Sequence, residues 1–267
     1  MTRKFPEING AIFIMSYNCA PQLKRVISSL NNKADLLIDK GWKSIYFVNN
    51  KSKDKTLSIM KKSLDELKEN KFNCAIINNH KNYGLGGSHK VSFYAAEKFK
   101  FSHACIFHGD DQADLIDLIN IPKNFYTNDC ILGSRFSKGS KLNGYSSIRI
   151  MGNLFFNLLF TIVLRKKIYD LGSGLNVFSH KFFTDRRIVL FPDGMYFNQS
   201  LLILIAKYYN FQYIPIKWSE KDQVSNVKNF QMGIDTLRNL FSEKLKIGLN
   251  KRSLYNNIEK YTFDLIK

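Results

Sequence analysis

Short apolar runs alternate with amphipathic stretches from Ala11 to Arg135, and each run ends in a polar or glycine-rich loop. Ala11–Tyr17 is an uninterrupted apolar run suited to a strand buried on both faces. Asn18 to Pro21 break it and open a helix with Leu23, Val26, Ile27 and Leu30 on one side. A second strand at Ser44–Val48 is followed by the loop Asn49–Asp54, a helix from about Thr56 to Asn70 and a third strand at Asn73–Asn78. The loop Asn82–Ser88 leads into a helix ending near Phe99, then come strands at Ala104–Phe107 and Cys130–Gly133. Strand and helix in turn, with short connections, predict an α/β fold: a mostly parallel central sheet with helices on both faces. Such sheets collect ligands at the C-terminal ends of their strands, where all of these polar loops fall.

The second half is less regular. Ser147–Leu164 reads as a helix that is almost wholly apolar after its first turn. Two readings stay open: a core helix, or a helix lying in a membrane interface with Arg149, Arg165, Lys166 and Lys167 at its ends. Its uncharged window, Ile150 to Leu164, falls short of the roughly 20 residues a bilayer span needs. The turn Asp170–Gly174 precedes a strand at Leu175–Phe178. A helix centred on Leu201–Ala206, a strand at Phe211–Ile216, a polar loop at Lys217–Asn229 and a basic amphipathic helix from about Phe230 follow. The expected organisation is one domain over residues 1–229 with a helical segment, 230–267, packed on or next to it.

With 40 basic against 22 acidic residues the net charge is +18, which attracts phosphates, nucleic acid or an anionic membrane surface. The basic residues are scattered and not confined to one block, and no specific nucleic-acid motif is present. Cys19, Cys74, Cys105 and Cys130 are widely spaced in apolar surroundings, a pattern for unpaired thiols in a reducing compartment. The opening Met1–Glu7 lacks the form of a secretory signal, so the expectation is a cytoplasmic protein peripheral to the inner face of the membrane.

Chemistry concentrates in Phe107-His108-Gly109-Asp110-Asp111-Gln112-Ala113-Asp114. In an extended segment alternate side chains share a side, so His108, Asp110 and Gln112 project together while Asp111 and Ala113 point away. An imidazole, a carboxylate and an amide oxygen suit one Mg²⁺ or Mn²⁺ ion. The competing reading is an acidic turn in which Asp110 or Asp111 caps the helix near Leu115. Gly84, Gly86 and Gly87 match neither the phosphate-binding loop G-x-x-x-x-G-K-[ST] nor the dinucleotide fingerprint G-x-G-x-x-G, which disfavours NTP hydrolysis and nicotinamide chemistry.

Six motifs occur in order: Met15-Ser16-Tyr17-Asn18, Val48 to Asp54, Asn82 to Gly87, His108 to Gln112, Gly133-Ser134-Arg135, and Asp170 to Gly174. Together they resemble the family-2 glycosyltransferases, nearest to the polyprenyl-phosphate sugar transferase branch, over roughly residues 10 to 230. The resemblance implies a GT-A fold, a nucleotide-diphosphate sugar donor, a divalent cation and inverting transfer. It implies a lipid-phosphate or glycan acceptor in cell-envelope polysaccharide or glycolipid biosynthesis. On it, His108, Asp110 and Gln112 take the metal positions. Ser16, Tyr17, Asn50, Asn82, Gly86, Gly109 and Asp110 face the donor, and Arg135 and Arg149 the acceptor phosphate. Asp170 is the candidate base where the acceptor is a sugar hydroxyl, whereas a phosphate acceptor is already ionised.

The chain departs from the family at Asn49-Asn50, where Asp-Asp is usual, and at His108, where the metal motif begins with Asp. It departs again at Trp218–Asn226, where Arg-x-x-Gly-x-Ser is usual. These departures motivate an alternative: a non-catalytic basic protein that binds nucleotides or polyanions on the same fold.

Overall fold

The computed structural model describes residues 7–222 and 261–267. The first half runs β1 (Gly10–Ser16), α1 (Ala20–Asn32), α2 (Ala34–Asp39), β2 (Trp42–Asn49), α3 (Thr56–Glu69), β3 (Asn73–Asn79), α4 (Gly84–Lys98), β4 (His103–His108) and α5 (Leu115–Ile119). The second runs β5 (Cys130–Ser134), β6 (Lys141–Asn143), α6 (Ser147–Leu164), β7 (Leu175–Ser179), α7 (His180–Phe183), α8 (Phe197–Tyr208), β8 (Phe211–Pro215), β9 (Lys217–Ser219) and β10 (Phe263–Ile266).

The main sheet has the order β10-β3-β2-β1-β4-β7-β5-β8. The pairs from β3 to β4 are parallel, β7 runs against both β4 and β5, and β8 is parallel to β5. The chain steps outward from β1 to β3 and then returns to the other side of β1 for β4. The C-terminal ends of β1 and β4 therefore border the crevice where open α/β sheets bind ligands.

β1 is buried on both faces, which is why its sequence is a continuous apolar run and not an alternation. Ile12 and Ile14 pack with Leu23, Val26 and Leu30 of α1 and Leu64 of α3. Phe13 faces the other layer, with Val91 and Phe93 of α4 and Phe197 and Leu201 of α8. Each such side chain contributes roughly 1.5–3 kcal/mol by leaving water. The start of α1 is tied to the loop after β2: Cys19 N–H donates to Thr56 Oγ1 (3.0 Å) and Ala20 N–H to Asp54 Oδ2 (3.1 Å). These side chains take backbone donors left unpaired at a helix N-terminus, and they fix two site loops against each other.

Three local expectations change. α6 is not a core helix: Ile148, Met151, Phe155, Leu158 and Ile162 are 59–77% exposed and recur every three or four residues along one face. Its opposite side packs on the domain through Asn157 and Phe160. At 18 residues α6 has the length and composition of a short span, longer than the uncharged window had suggested. Second, the polar stretch after β8 contains β9, which pairs in parallel with β6 as a small separate sheet. Third, most of the basic helix expected from Phe230 lies outside the described residues, and the last residues of the chain are instead β10, antiparallel to β3. His80 anchors that strand through Thr262 and Asp264 at 3.0 and 2.8 Å.

Candidate active site

A cavity of about 590 Å³ opens at the C-terminal ends of β4 and β5, lined by His108, Asp110, Gln112, Arg135, Arg149 and Glu220 among others. Gly109 makes the strand end possible. Its N–H donates to Met15 O at 2.8 Å, and a Cβ there would collide with Ser16 Oγ, so β1 and β4 come together only over a glycine.

His108, Asp110 and Gln112 do share this cavity. Asp111 takes a left-handed conformation (φ 59°) and turns away to Arg25 Nε at 2.6 Å and Lys221 Nζ at 3.2 Å. Asp114, and neither Asp110 nor Asp111, caps α5 by accepting from Ile116 N–H at 3.0 Å. Nε2 of His108 is sealed from solvent with no hydrogen-bond partner. Burial holds the His108 ring below the ordinary imidazole range against the pull of Asp110, and the Arg135 charge lowers it further. Burial thus favours the neutral ring, the form with a lone pair to offer. Burial also raises the Asp110 carboxyl above its usual range, opposed by His108. The Gln112 amide directs Nε2 to Glu220 Oε1 at 3.5 Å, which leaves its oxygen as an acceptor. An orphaned ring nitrogen, a carboxylate and an amide oxygen fit a divalent cation, although no group of three His, Cys, Asp or Glu side chains clusters among the described residues.

Two arginines stand across from this set. Arg135 is locked to Asp170: Nε donates to Oδ2 and Nη2 to Oδ1, both at 2.8 Å, while Nη1 donates to Tyr145 Oη at 3.1 Å. Asp170 also accepts from the N–H groups of Arg135 (2.9 Å) and Gly172 (3.1 Å), and its side chain is fully buried. Burial works against the Arg135 charge, but Asp170 holds that charge well above its usual range. Arg149 pairs with Glu220 (Nη1 to Oε2, 2.5 Å) and lies over the Tyr145 ring at 4.4 Å.

The sequence profile of Glycosyl transferase family 2 matches residues 11–187. The chain belongs to glycosyltransferase family 2. It is thus an enzyme of the glycosyltransferase class on an α/β GT-A fold, as the ordered motifs imply. No curated protein matches it in sequence. Among solved structures it resembles glucosyl-3-phosphoglycerate synthase from Mycobacterium tuberculosis in complex with Mn²⁺, UDP and glucosyl-3-phosphoglycerate. That likeness has TM-score 0.60 and 11% identity over 96% of this chain and 86% of the other. It also resembles a mannosyltransferase from Pyrobaculum calidifontis in complex with GDP-Man and Mn²⁺ (TM-score 0.57, 14% identity, 92% and 68% covered). At such identities the likeness concerns the fold.

Several of the residues expected at the site have other partners in the structure. Both carboxylate oxygens of Asp170 are engaged and it does not line this cavity, so in the structure it braces Arg135. Arg135 is largely spent on that brace, and Arg149 is the more available cation. Asn50 does not face a ligand: its Nδ2 donates to Asn82 Oδ1 (2.8 Å) and Gly84 O (3.3 Å), and its Oδ1 accepts from Asn79 Nδ2 (3.2 Å) and Tyr83 N–H (2.9 Å). Asn82 closes the same network by accepting from Gly84 N–H at 2.8 Å. Gly86 is no phosphate cradle, since its N–H donates to Asp193 O at 2.7 Å and a Cβ would strike Pro192 and Phe197. The glycine loop instead seats the segment before α8. Ser16 is buried beside Gly109, and Tyr17, the residue after β1, is 43% exposed.

Sequence reasoning missed Tyr145, Trp218 and Glu220 as cavity residues. The one available signal was that Trp218–Asn226 departs from the family pattern. Lys90 was missed too: it is buried between Phe191 O (2.5 Å) and Asp193 Oδ1 (2.8 Å), where it holds the segment that the glycine loop supports.

Proposed function

We propose that this glycosyltransferase moves a sugar, with inversion, from a nucleotide-diphosphate donor to a polyprenyl-phosphate, lipid-linked or saccharide acceptor in cell-envelope polysaccharide or glycolipid assembly. It works with a divalent cation at an anionic membrane surface. The observation that carries the reading is the convergence of His108, Asp110 and Gln112 on one cavity wall with Arg149 opposite. His108, Asp110 and Gln112 would hold Mg²⁺ or Mn²⁺, and the neutral imidazole favours Mn²⁺. A cation bound there neutralises charge that develops on the leaving diphosphate. The solved relatives named above, crystallised with Mn²⁺ and UDP or GDP-Man, support this choice of donor and metal.

Tyr17 would stack on the donor base, while Gly109 brings the backbone of the strand end close to the diphosphate. Arg149 orients the acceptor. With Asp170 confined to its brace, an acceptor that arrives already ionised fits this cavity best, and a phosphate meets that need. α6 supports a lipid-borne acceptor. Ile148, Arg149, Asn153 and Phe156 line the cavity, while Met151, Phe155, Leu158 and Ile162 face outward and Arg165, Lys166 and Lys167 lie exposed at the far end. That outward stripe with basic ends matches a helix lying in the headgroup layer.

The test is donor hydrolysis and transfer across a panel of nucleotide sugars with Mn²⁺ or Mg²⁺, comparing wild type with Asp110→Ala. Loss of at least 100-fold in kcat/KM is expected; an Asp110→Ala enzyme as active as wild type refutes the metal and donor assignment.

A further inference from the structure

The two ion pairs of the cavity differ in how far they are committed. Arg135 and Asp170 are sealed, with side chains 11% and 0% exposed, and every Asp170 oxygen is engaged more than once. Arg149 and Glu220 are open, at 31% and 20%, and touch each other between Nη1 and Oε2. Arg149 is held in place independently: its guanidinium rests over the Tyr145 ring at 4.4 Å, and Tyr145 is fixed by Arg135 and Asn153 at 3.1 and 3.0 Å. Glu220 is positioned through its backbone, N–H to Asn143 O at 2.9 Å, and among the described residues its carboxylate has one other hydrogen-bond partner, the Gln112 amide at a weak 3.5 Å.

The charge balance around the cavity adds a second reason. Arg135 pairs with Asp170 and Arg149 with Glu220. An incoming anion thus meets no cavity arginine that is not already covered by a carboxylate. A guanidinium held by a ring, and covered by a carboxylate with little else to hold it, supplies one as soon as the carboxylate moves. A phosphate group is the stronger partner for that fork, with more charge and more acceptor oxygens than a carboxylate.

We propose that Glu220 is an internal plug of an anion subsite on Arg149. Its carboxylate occupies the place of a phosphate-class anion, and binding of that anion displaces it toward Gln112 while Arg149 stays on Tyr145. Naming the anion as the acceptor's phosphate rests on the transferase reading above; the plug itself does not. Its effect is selective: an anion able to out-compete a carboxylate gains the subsite, and a neutral sugar hydroxyl leaves it closed.

The experiment is titration calorimetry of inorganic phosphate into the full chain at fixed ionic strength, for wild type, Glu220→Gln, Glu220→Ala and Glu220→Gln with Arg149→Gln. Both single variants should bind phosphate about tenfold more tightly than wild type, and the added Arg149→Gln should remove the gain. Equal or weaker phosphate binding in the Glu220 variants overturns the plug, as does a gain that survives loss of Arg149. Glu220 acting as a catalytic base would give the first of those results together with lost turnover. UDP and GDP binding with Mn²⁺, measured on the same proteins, separates the two claims. Absent nucleotide binding sinks the transferase reading and leaves the phosphate result to judge the plug.

Discussion

Replacing Arg135 by Met tests whether the buried pair at the cavity wall is scaffold or chemistry. Among the described residues, the substitution removes the one formal positive charge hydrogen-bonded to Asp170, whose side chain has no exposure and keeps the N–H groups of residue 135 and Gly172. An uncompensated buried carboxylate typically costs about 3–5 kcal/mol. Asp170→Asn strands the guanidinium in turn, although Tyr145 Oη and Gly172 O still accept from it at 3.1 and 3.0 Å, so the loss should be smaller, about 2–3 kcal/mol. Combining the two removes both charges together. The double variant should therefore be more stable than the sum of the single losses requires, by about 2 kcal/mol or more. Urea denaturation followed by tryptophan fluorescence and circular dichroism measures all four corners of the cycle. Asp170 acting as a general base would give the opposite signature: an unchanged urea midpoint for Asp170→Asn with turnover down by about 100-fold or more. That result, or a cost below about 1 kcal/mol for Arg135→Met, refutes the brace.

The apolar face of α6 gives a binding prediction: Phe155→Glu with Leu158→Glu should reduce co-sedimentation with anionic phospholipid vesicles by about 100-fold or more, at roughly 3 kcal/mol or more for two lost burials. Both residues are about 60% exposed, so the thermal midpoint should hardly move, and unchanged vesicle binding would refute an interfacial α6. Acid stability tests His89, whose fully buried ring burial pushes down to about 3 from an ordinary value of 6.5. The folded value is the lower one, so the unfolded chain binds the extra proton between these limits. Stability is intact above pH 6.5 and falls as pH drops toward 3, by about 1.4 kcal/mol per pH unit for this one proton. His89→Leu should flatten the stability profile between pH 6 and pH 4 by that amount, with the parallel contributions of His103 and His108 remaining. An unchanged slope would refute the buried neutral ring.

β1, β4 and β5 were legible because each is buried along its length and so leaves a largely apolar run bounded by polar turns. β6 and β9 were not: each is three residues long, with at most one buried side chain, and is stabilised by a partner that sequence proximity does not reveal. α6 shows the limit of periodicity. A helix apolar nearly all round satisfies the pattern of a core element and of an interfacial one equally, and only its packing separates them. At the site, His108, Asp110 and Gln112 share a cavity and Asp111 turns away as the sequence suggested, but not by a strand pleat: β4 ends at His108, residues 109–111 form a turn and Asp111 is left-handed. Arg149 and Glu220 are 71 residues apart and meet through β9 pairing with β6, which no local pattern encodes.

Asn50 shows why a departure from a family motif need not be a lost function. Taken as a sequence, Asn49-Asn50 in place of Asp-Asp reads as a charge removed from a nucleoside contact. In the fold, Gly84 O can only accept and Tyr83 N–H can only donate, so the amide orientation is fixed: Nδ2 faces Gly84 and Asn82 Oδ1, and Oδ1 faces Tyr83 and Asn79. An aspartate at this position would set a carboxylate oxygen against two acceptors in a site only 6% exposed. Asparagine is thus demanded by the way this chain closes its glycine loop, and the same closure turns Gly84 and Gly86 against Asp193 and Pro192. The β2 loop is thereby closed on the glycine loop, whereas Asp110 lines the cavity at the end of β4.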